Sequence, residues 1–193
     1  MVKILAFSGS SRRDSFNNKL VKIAAEGAKS TGASVSHINL ADFPMPIYDG
    51  DLEDEKGMPE YALGFKQLLI DHDGFLIASP EYNSAFSPLL KNVIDWASRA
   101  NTENESPLLA YRGKMAAIMS ASPGALGGIR GLVSLRMLLG NIGVTLLTEQ
   151  QTIPQSFSAF TEEGDLVDER KQKAVMQLGS KLASTIEKLQ SIS

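Results

Sequence analysis

A doubly wound α/β fold, a parallel sheet with helices on both faces, is what this 193-residue sequence predicts. Two observations predict it. Apolar runs of strand length alternate five times with segments whose apolar residues recur at helical spacing. The clearest runs, Ile4-Leu5-Ala6-Phe7 and Gly74-Phe75-Leu76-Ile77-Ala78, are continuously apolar, as strands are when both of their faces are buried. Right-handed crossovers between such strands put helices on the two sides of the sheet. Length and an apolar content of 43% suit one domain over residues 1–193.

Each element has its own warrant. Residues 2–8 form the first strand. Residues 15–31 form a helix with Leu20, Ile23, Ala24 and Ala28 on one face, stopped at Gly32. Residues 33–40, with Val35, His37 and Asn39 alternating against smaller or apolar neighbours, suit a strand at the sheet edge. Residues 42–57 carry Pro44, Pro46, Gly50 and the acidic group Asp49, Asp51, Glu53, Asp54 and Glu55, and are expected to be a long, solvated loop. Pro59 opens a helix with Tyr61, Phe65, Leu68 and Leu69 inward. Residues 74–79 are a central strand, broken by residues 80–83. Pro88 opens the next helix, with Leu89, Leu90, Val93, Ile94 and Ala97 in register, and residues 99–112 are a polar connection. Then follow a strand (114–120), a glycine-rich turn (121–128), a helix (129–139), a short fifth strand (143–147), an irregular stretch (148–168) and a closing helix with Val175, Leu178, Leu182, Ile186 and Leu189 at helical spacing.

Composition excludes several chemistries. A net charge of −3 gives no electrostatic support for binding nucleic acid. The absence of cysteine removes disulfides, thiolate catalysis, cysteine-ligated zinc and iron–sulfur clusters. His37 and His72 lack ligand spacing, so structural roles are expected for both. No segment approaches the roughly 18 apolar residues of a membrane span. The apolar run at the N-terminus is too short for a signal peptide and leads straight into the fold pattern, so a cytoplasmic protein is expected.

Three strand ends carry unusual loops, and ligands of open α/β sheets bind outside the carboxyl ends of the strands. The first loop, residues 9–17, holds Ser10, Ser11, Arg12, Ser15 and Asn17 at a strand-to-helix junction. Hydroxyl and amide donors, an arginine and the free N–H groups of a helix start make an anion site, and phosphate is the anion they suit. The Gly-Lys-Ser/Thr of a P-loop is absent, and Gly9 stands without the further glycines of a dinucleotide loop, so a mononucleotide phosphate is expected. Arg12 is the first choice for its charge partner; Arg13 reads as solvent-facing. The second loop, Ser79-Pro80-Glu81-Tyr82-Asn83-Ser84, is either an exposed turn or a platform for a flat ring, with its backbone fixed by Pro80. The third, Ser122-Pro123-Gly124-Ala125-Leu126-Gly127-Gly128, is either an ordinary tight turn or a place where backbone approaches a ligand closely, with the next helix start facing the crevice.

Taken together, Gly9-Ser10-Ser11-Arg12-Arg13-Asp14-Ser15-Phe16-Asn17, Pro80-Glu81-Tyr82-Asn83, Lys91-Asn92-Val93-Ile94-Asp95-Trp96 and the third loop resemble the NADPH-dependent FMN reductase family, over about residues 2–144. The resemblance implies a flavodoxin-like three-layer fold with strand order 2-1-3-4-5, which makes the three loop-bearing strands neighbours. It implies FMN phosphate contacts from Ser10, Arg12, Ser15, Phe16 (through its backbone) and Asn17. Ring contacts would come from Pro80, Glu81, Tyr82, Asn83, Ser122 and Gly124. It also implies a dimer, often a dimer of dimers, with the helix containing Trp96 near the interface; the sequence itself leaves Trp96 as core or subunit contact. The expected activity is hydride transfer from NADPH or NADH to bound FMN, then electron transfer to a small acceptor such as a quinone, azo compound, metal oxyanion or free flavin. The cofactor does the electronic work, so no side chain is expected to be catalytic in the strict sense, and Glu81 is expected to matter through its backbone more than its carboxylate. N–H groups of the third loop would stabilise negative charge on the reduced ring. The alternative is a non-enzymatic flavodoxin-type electron carrier or flavin-dependent binding module. Strong acidity near the flavin would favour a carrier; Arg12 and a net charge of only −3 favour the enzyme.

Overall fold

The computed structural model describes residues 1–192. Its sheet is built on β1 (Lys3–Ser8), β2 (Ser34–Asn39), β3 (Gly74–Ala78), β6 (Met115–Ala121) and β7 (Thr145–Leu146), in the order β2-β1-β3-β6-β7 and parallel throughout. With the strands of the small hairpin β4 (Glu81–Tyr82) and β5 (Ala85–Phe86) set aside, this is the expected 2-1-3-4-5 order. The fifth position differs from expectation: it is shared by β7 and a second short strand, β8 (Gln151–Ile153), which pairs with the far end of β6. Between them the Arg136 guanidinium takes Leu147 O at 2.9 Å and Gln150 Oε1 at 3.0 Å, so the backbone turns out of the ladder there.

Side chains alternate across the sheet with the period of a strand. Ile4, Ala6, Leu76, Ala78, Ala117 and Met119 face a core closed by α1 (Phe16–Lys29) and α7 (Glu169–Gln190). Leu5, Phe7, Phe75, Ile77, Ala116 and Ile118 face the other core, closed by α3 (Glu60–Asp71), α4 (Pro88–Ser98) and α5 (Ile129–Asn141). Helices α1 and α7 cross very closely. A methyl group at Gly27 would lie 1.9 Å from Met176 O, and one at Gly179 would lie 1.8 Å from Ala24 O, so only glycine permits this backbone approach.

The acidic stretch after β2 is more ordered than a solvated loop. Asp49 caps a short helix, α2 (Gly50–Lys56), through the N–H groups of Asp51 and Leu52. Glu53 accepts from Arg99 and from the Tyr48 hydroxyl, while Asp51, Asp54 and Glu55 remain exposed. The preceding residues are pinned to α4, where Asn92 Nδ2 and Trp96 Nε1 both donate to Pro46 O at 2.8 Å. Trp96 is wholly buried beneath this segment and against Tyr48, so within this chain it is a core residue. His72 is structural as expected: its ring nitrogens contact Leu68 O at 2.6 Å and Ser36 Oγ at 2.9 Å.

Candidate active site

The carboxyl ends of β1, β3 and β6 bring the three loops to one cleft. Ser10, Arg12, Ser15, Phe16, Asn17, Pro80, Glu81, Tyr82 and Ser122 all line it. Of the residues the sequence singled out, Asn83 and Gly124 do not. Asn83 sits at the exposed tip of the β4–β5 hairpin, where Asn83 and Ser84 have φ of 51° and 69°. A type I′ hairpin turn requires positive φ at both central positions, and asparagine tolerates it. Gly124 lies exposed on the rim; a methyl group there would meet only Ser122 Oγ, at 3.8 Å.

The first loop is held open at its base. Gly9 N–H donates to Ala78 O at 2.9 Å, and Ser87, the cap of α4, donates its hydroxyl to Gly9 O at 2.5 Å. Ser15 caps α1 by accepting from Asn18 N–H at 3.2 Å. This leaves the N–H groups of Phe16 and Asn17, first in the helix, without an acceptor among the described residues. No acidic residue stands in that first turn, although Asp14 lines the cleft. The exposed Arg12 guanidinium forms no ion pair among the described residues, and the buried Ser10 and Ser15 hydroxyls accept from backbone while keeping a proton to donate. These donors suit a dianionic phosphate monoester.

Asn17 contributes differently from the sequence expectation. Its side-chain amide is spent within the protein: Nδ2 donates to Ala121 O and Oδ1 accepts from Ala121 N–H, both at 2.9 Å. It fastens the first loop to the end of β6, and only its main-chain N–H is left for a ligand.

Glu81 is also committed. Its carboxylate accepts from Gly131 N–H at 3.0 Å, in the first turn of α5, and pairs with Arg130 at 2.9 Å. The negative charge thus answers the positive end of α5, which has no side-chain cap of its own. Glu81 therefore serves as a structural anion at the start of α5.

The third loop uses its glycines against protein. At Gly127 (φ 61°) a methyl group would lie 2.8 Å from Pro154 N, and at Gly128 (φ 89°) 2.0 Å from Ser120 Oγ. Gly127 thus admits the segment after β8, which the sequence reads only as irregular, and Gly128 admits the end of β6. Ser122 N–H donates to Ile153 O at 3.0 Å and Ser156 N–H to Ser122 O at 3.2 Å. The segment then delivers Phe157, in the one-turn helix α6 (Ser156–Ala159), to the cleft, 74% exposed and edge-on to Phe16 at 5.5 Å. Sequence analysis missed Phe157 because it lies in no motif; an aromatic standing outside any apolar period was the available signal.

Residues 2–158 match the family model described as NADPH-dependent FMN reductase. The chain belongs to that family. Among its curated relatives is an NADPH:quinone oxidoreductase of Arabidopsis thaliana, 32% identical over 183 residues (92% of this chain and 88% of that protein). A 2-hydroxy-1,4-benzoquinone reductase of a Burkholderia species is 32% identical over 186 residues, 96% of each chain. Among solved structures, FerB, a flavoenzyme NAD(P)H:(acceptor) oxidoreductase from Paracoccus denitrificans, superposes with a TM-score of 0.80 at 28% identity, covering 97% of this chain and 98% of that one. This family member is accordingly an NAD(P)H-dependent flavin oxidoreductase with FMN as cofactor, and the carrier alternative finds no support. No helix among the described residues is long and apolar enough to cross a membrane.

Proposed function

We propose that the chain is a cytoplasmic FMN-dependent NAD(P)H:quinone reductase, working as a single domain within a homodimer or homotetramer. The observation that carries the reading is the convergence of the unpaired Arg12, the free helix N–H groups and the Pro80–Tyr82 platform on one cleft of a family member. When bound, FMN supplies the redox chemistry, taking a hydride equivalent from NAD(P)H and giving electrons to a quinone or another flavin. The chain's own work is placement. Arg12, the hydroxyls of Ser10 and Ser15 and the N–H groups of Phe16 and Asn17 hold the phosphate. Pro80, Glu81, Tyr82 and Ser122 would hold the ring.

The cleft encloses only about 120 Å³. That is well below the roughly 300–1,000 Å³ of an enclosed small-molecule site. A flavin held there would be only partly enclosed by the residues of this chain. Tyr82 and Phe157, both exposed, border the cleft and would offer apolar contact to a flat acceptor. Self-association is supported by the exposed Leu126, Val133 and Met137 on the third loop and α5.

The test is anaerobic stopped-flow. The purified protein is expected to be yellow, to bleach on mixing with NADPH or NADH, and to recover its colour on adding benzoquinone. A protein that takes up no FMN, or whose bound flavin stays oxidised with both nucleotides, would overturn the proposal. A second prediction concerns the phosphate. Losing the charge-assisted contact in Arg12→Ala costs about 1.5–3 kcal/mol, which is roughly a 10- to 100-fold rise in the Kd for FMN. Flavin fluorescence titration reads it, and an unchanged Kd removes Arg12 from the site.

A further inference from the structure

The platform side of the flavin cleft carries one charge, and it is negative. Three charged residues line the cleft: Arg12 and Asp14 from the first loop, and Glu81 from β4. The neighbours of Glu81 in that wall, Pro80, Tyr82, Ala121, Ser122 and Pro123, are of uncharged type. Glu81 is also the best sheltered of the three. Its side chain is 9% exposed, whereas Arg12 and Asp14 are exposed. A charge sheltered from water and salt acts more strongly on its surroundings than an exposed one.

Behind this carboxylate stands positive charge. It accepts from Gly131 N–H at 3.0 Å and pairs with Arg130 Nη2 at 2.9 Å, both in the first turn of α5. Helix starts are ordinarily answered by an acid or a cap of their own. In α2 and α7 an aspartate cap and an acidic first turn do this locally. The cap position of α5 is Gly128, and its first turn contains no acidic residue. The answering charge comes instead from the cleft wall, 50 residues earlier. A methyl group at Gly131 would lie 3.1 Å from Ala85 O and 3.3 Å from Glu81 Cβ, so α5 and the β4–β5 hairpin are in direct contact.

Reducing a flavin adds two electrons and a proton and leaves negative charge on the ring. Charges in the wall therefore act more on the reduced form than on the oxidised one. We propose that Glu81 and Arg130 tune the reduction potential of the flavin. The Glu81 carboxylate holds the potential down, and Arg130 with the start of α5 limits how far. A lower potential makes the reduced flavin a stronger donor to its acceptor. The inference rests on the flavin reading of the cleft.

The holoprotein is titrated reductively against a reference dye. Glu81→Gln keeps the shape of the side chain, and an oxygen able to accept from Gly131 N–H, but removes the charge. Its potential is expected to rise, by about 30 mV for a roughly tenfold gain in preference for reduced over oxidised FMN. Arg130→Gln is expected to lower the potential by a smaller step, because Arg130 is 60% exposed and its charge is screened. The opposite signs separate tuning from scaffolding. Both variants break the same ion pair, so a purely structural role would move them alike, as weaker binding of oxidised FMN in fluorescence titration and an earlier urea midpoint. The proposal is overturned by an unmoved or lowered potential in Glu81→Gln, or by a raised one in Arg130→Gln. If Glu81→Gln does not fold, Arg130→Gln decides alone, and a potential that is not lowered overturns the proposal. Failure of the flavin reading shows separately, as no FMN uptake by wild type.

Discussion

Replacing Lys66 by methionine lowers the unfolding free energy by about 3–5 kcal/mol, read as an earlier midpoint in urea at an unchanged slope. The reason is a charge that the fold has removed from water. Lys66 lies on α3 with its side chain 3% exposed, and its ammonium group donates to Arg99 O at 2.6 Å, to Asn101 Oδ1 at 3.0 Å and to the Glu105 carboxylate. Glu105 is itself only 8% exposed. Methionine fills the same space but leaves that carboxylate buried and unpaired, which is the costly half of breaking a buried pair. Removing both charges, in Lys66→Met with Glu105→Leu, is expected to recover part of the loss, because no lone ion then remains. Equal stability of wild type and Lys66→Met would show that Glu105 regains water when its partner goes. The consequence extends along the chain: the same connection, after Arg99, carries Ala110 and Tyr111 into the core of the α3–α4–α5 face, where the Tyr111 hydroxyl donates to Ile94 O at 3.2 Å.

Asn17→Ala is the second large effect, and it couples stability to flavin retention. The substitution deprives both the N–H and the C=O of Ala121 of their side-chain partner, at a position 4% exposed. Each stranded group costs about 1–3 kcal/mol. The lost stability appears in urea denaturation. The first loop is simultaneously freed from the end of β6, so the proposed phosphate site around the Phe16 and Asn17 N–H groups is expected to loosen and the Kd for FMN to rise. Arg12→Ala separates the two roles, since it should weaken FMN binding with the urea midpoint of the apoprotein unmoved. If Asn17→Ala retains wild-type stability, the amide lock carries no weight in the fold.

Glu81 illustrates how far local reading reached. Sequence analysis doubted its role in proton transfer on chemical grounds, because hydride transfer to a flavin needs no protein base. The structure adds what its carboxylate does instead, binding the start of α5 across 50 residues. The third loop shows the opposite outcome. Its sequence leaves a tight turn and close approach to a ligand both open, and Gly127 and Gly128 are seen to admit Pro154 and Ser120. A glycine states that something approaches closely; it does not state what.

By itself the sequence determined the alternation of strands and helices, the two buried cores and the hydroxyl-rich loop at the mouth of β1. These follow from signals within a few residues of one another: apolar period, a capping serine, a proline at a helix start. Tertiary structure alone decided that Asn17 locks Ala121, 104 residues away, and that Lys66 is buried against Glu105. It also decided that the fifth strand splits around Arg136 and that Phe157 reaches the cleft. Each of these depends on which polar group finds a partner once distant segments pack. Chain-local preference carries no record of that pairing.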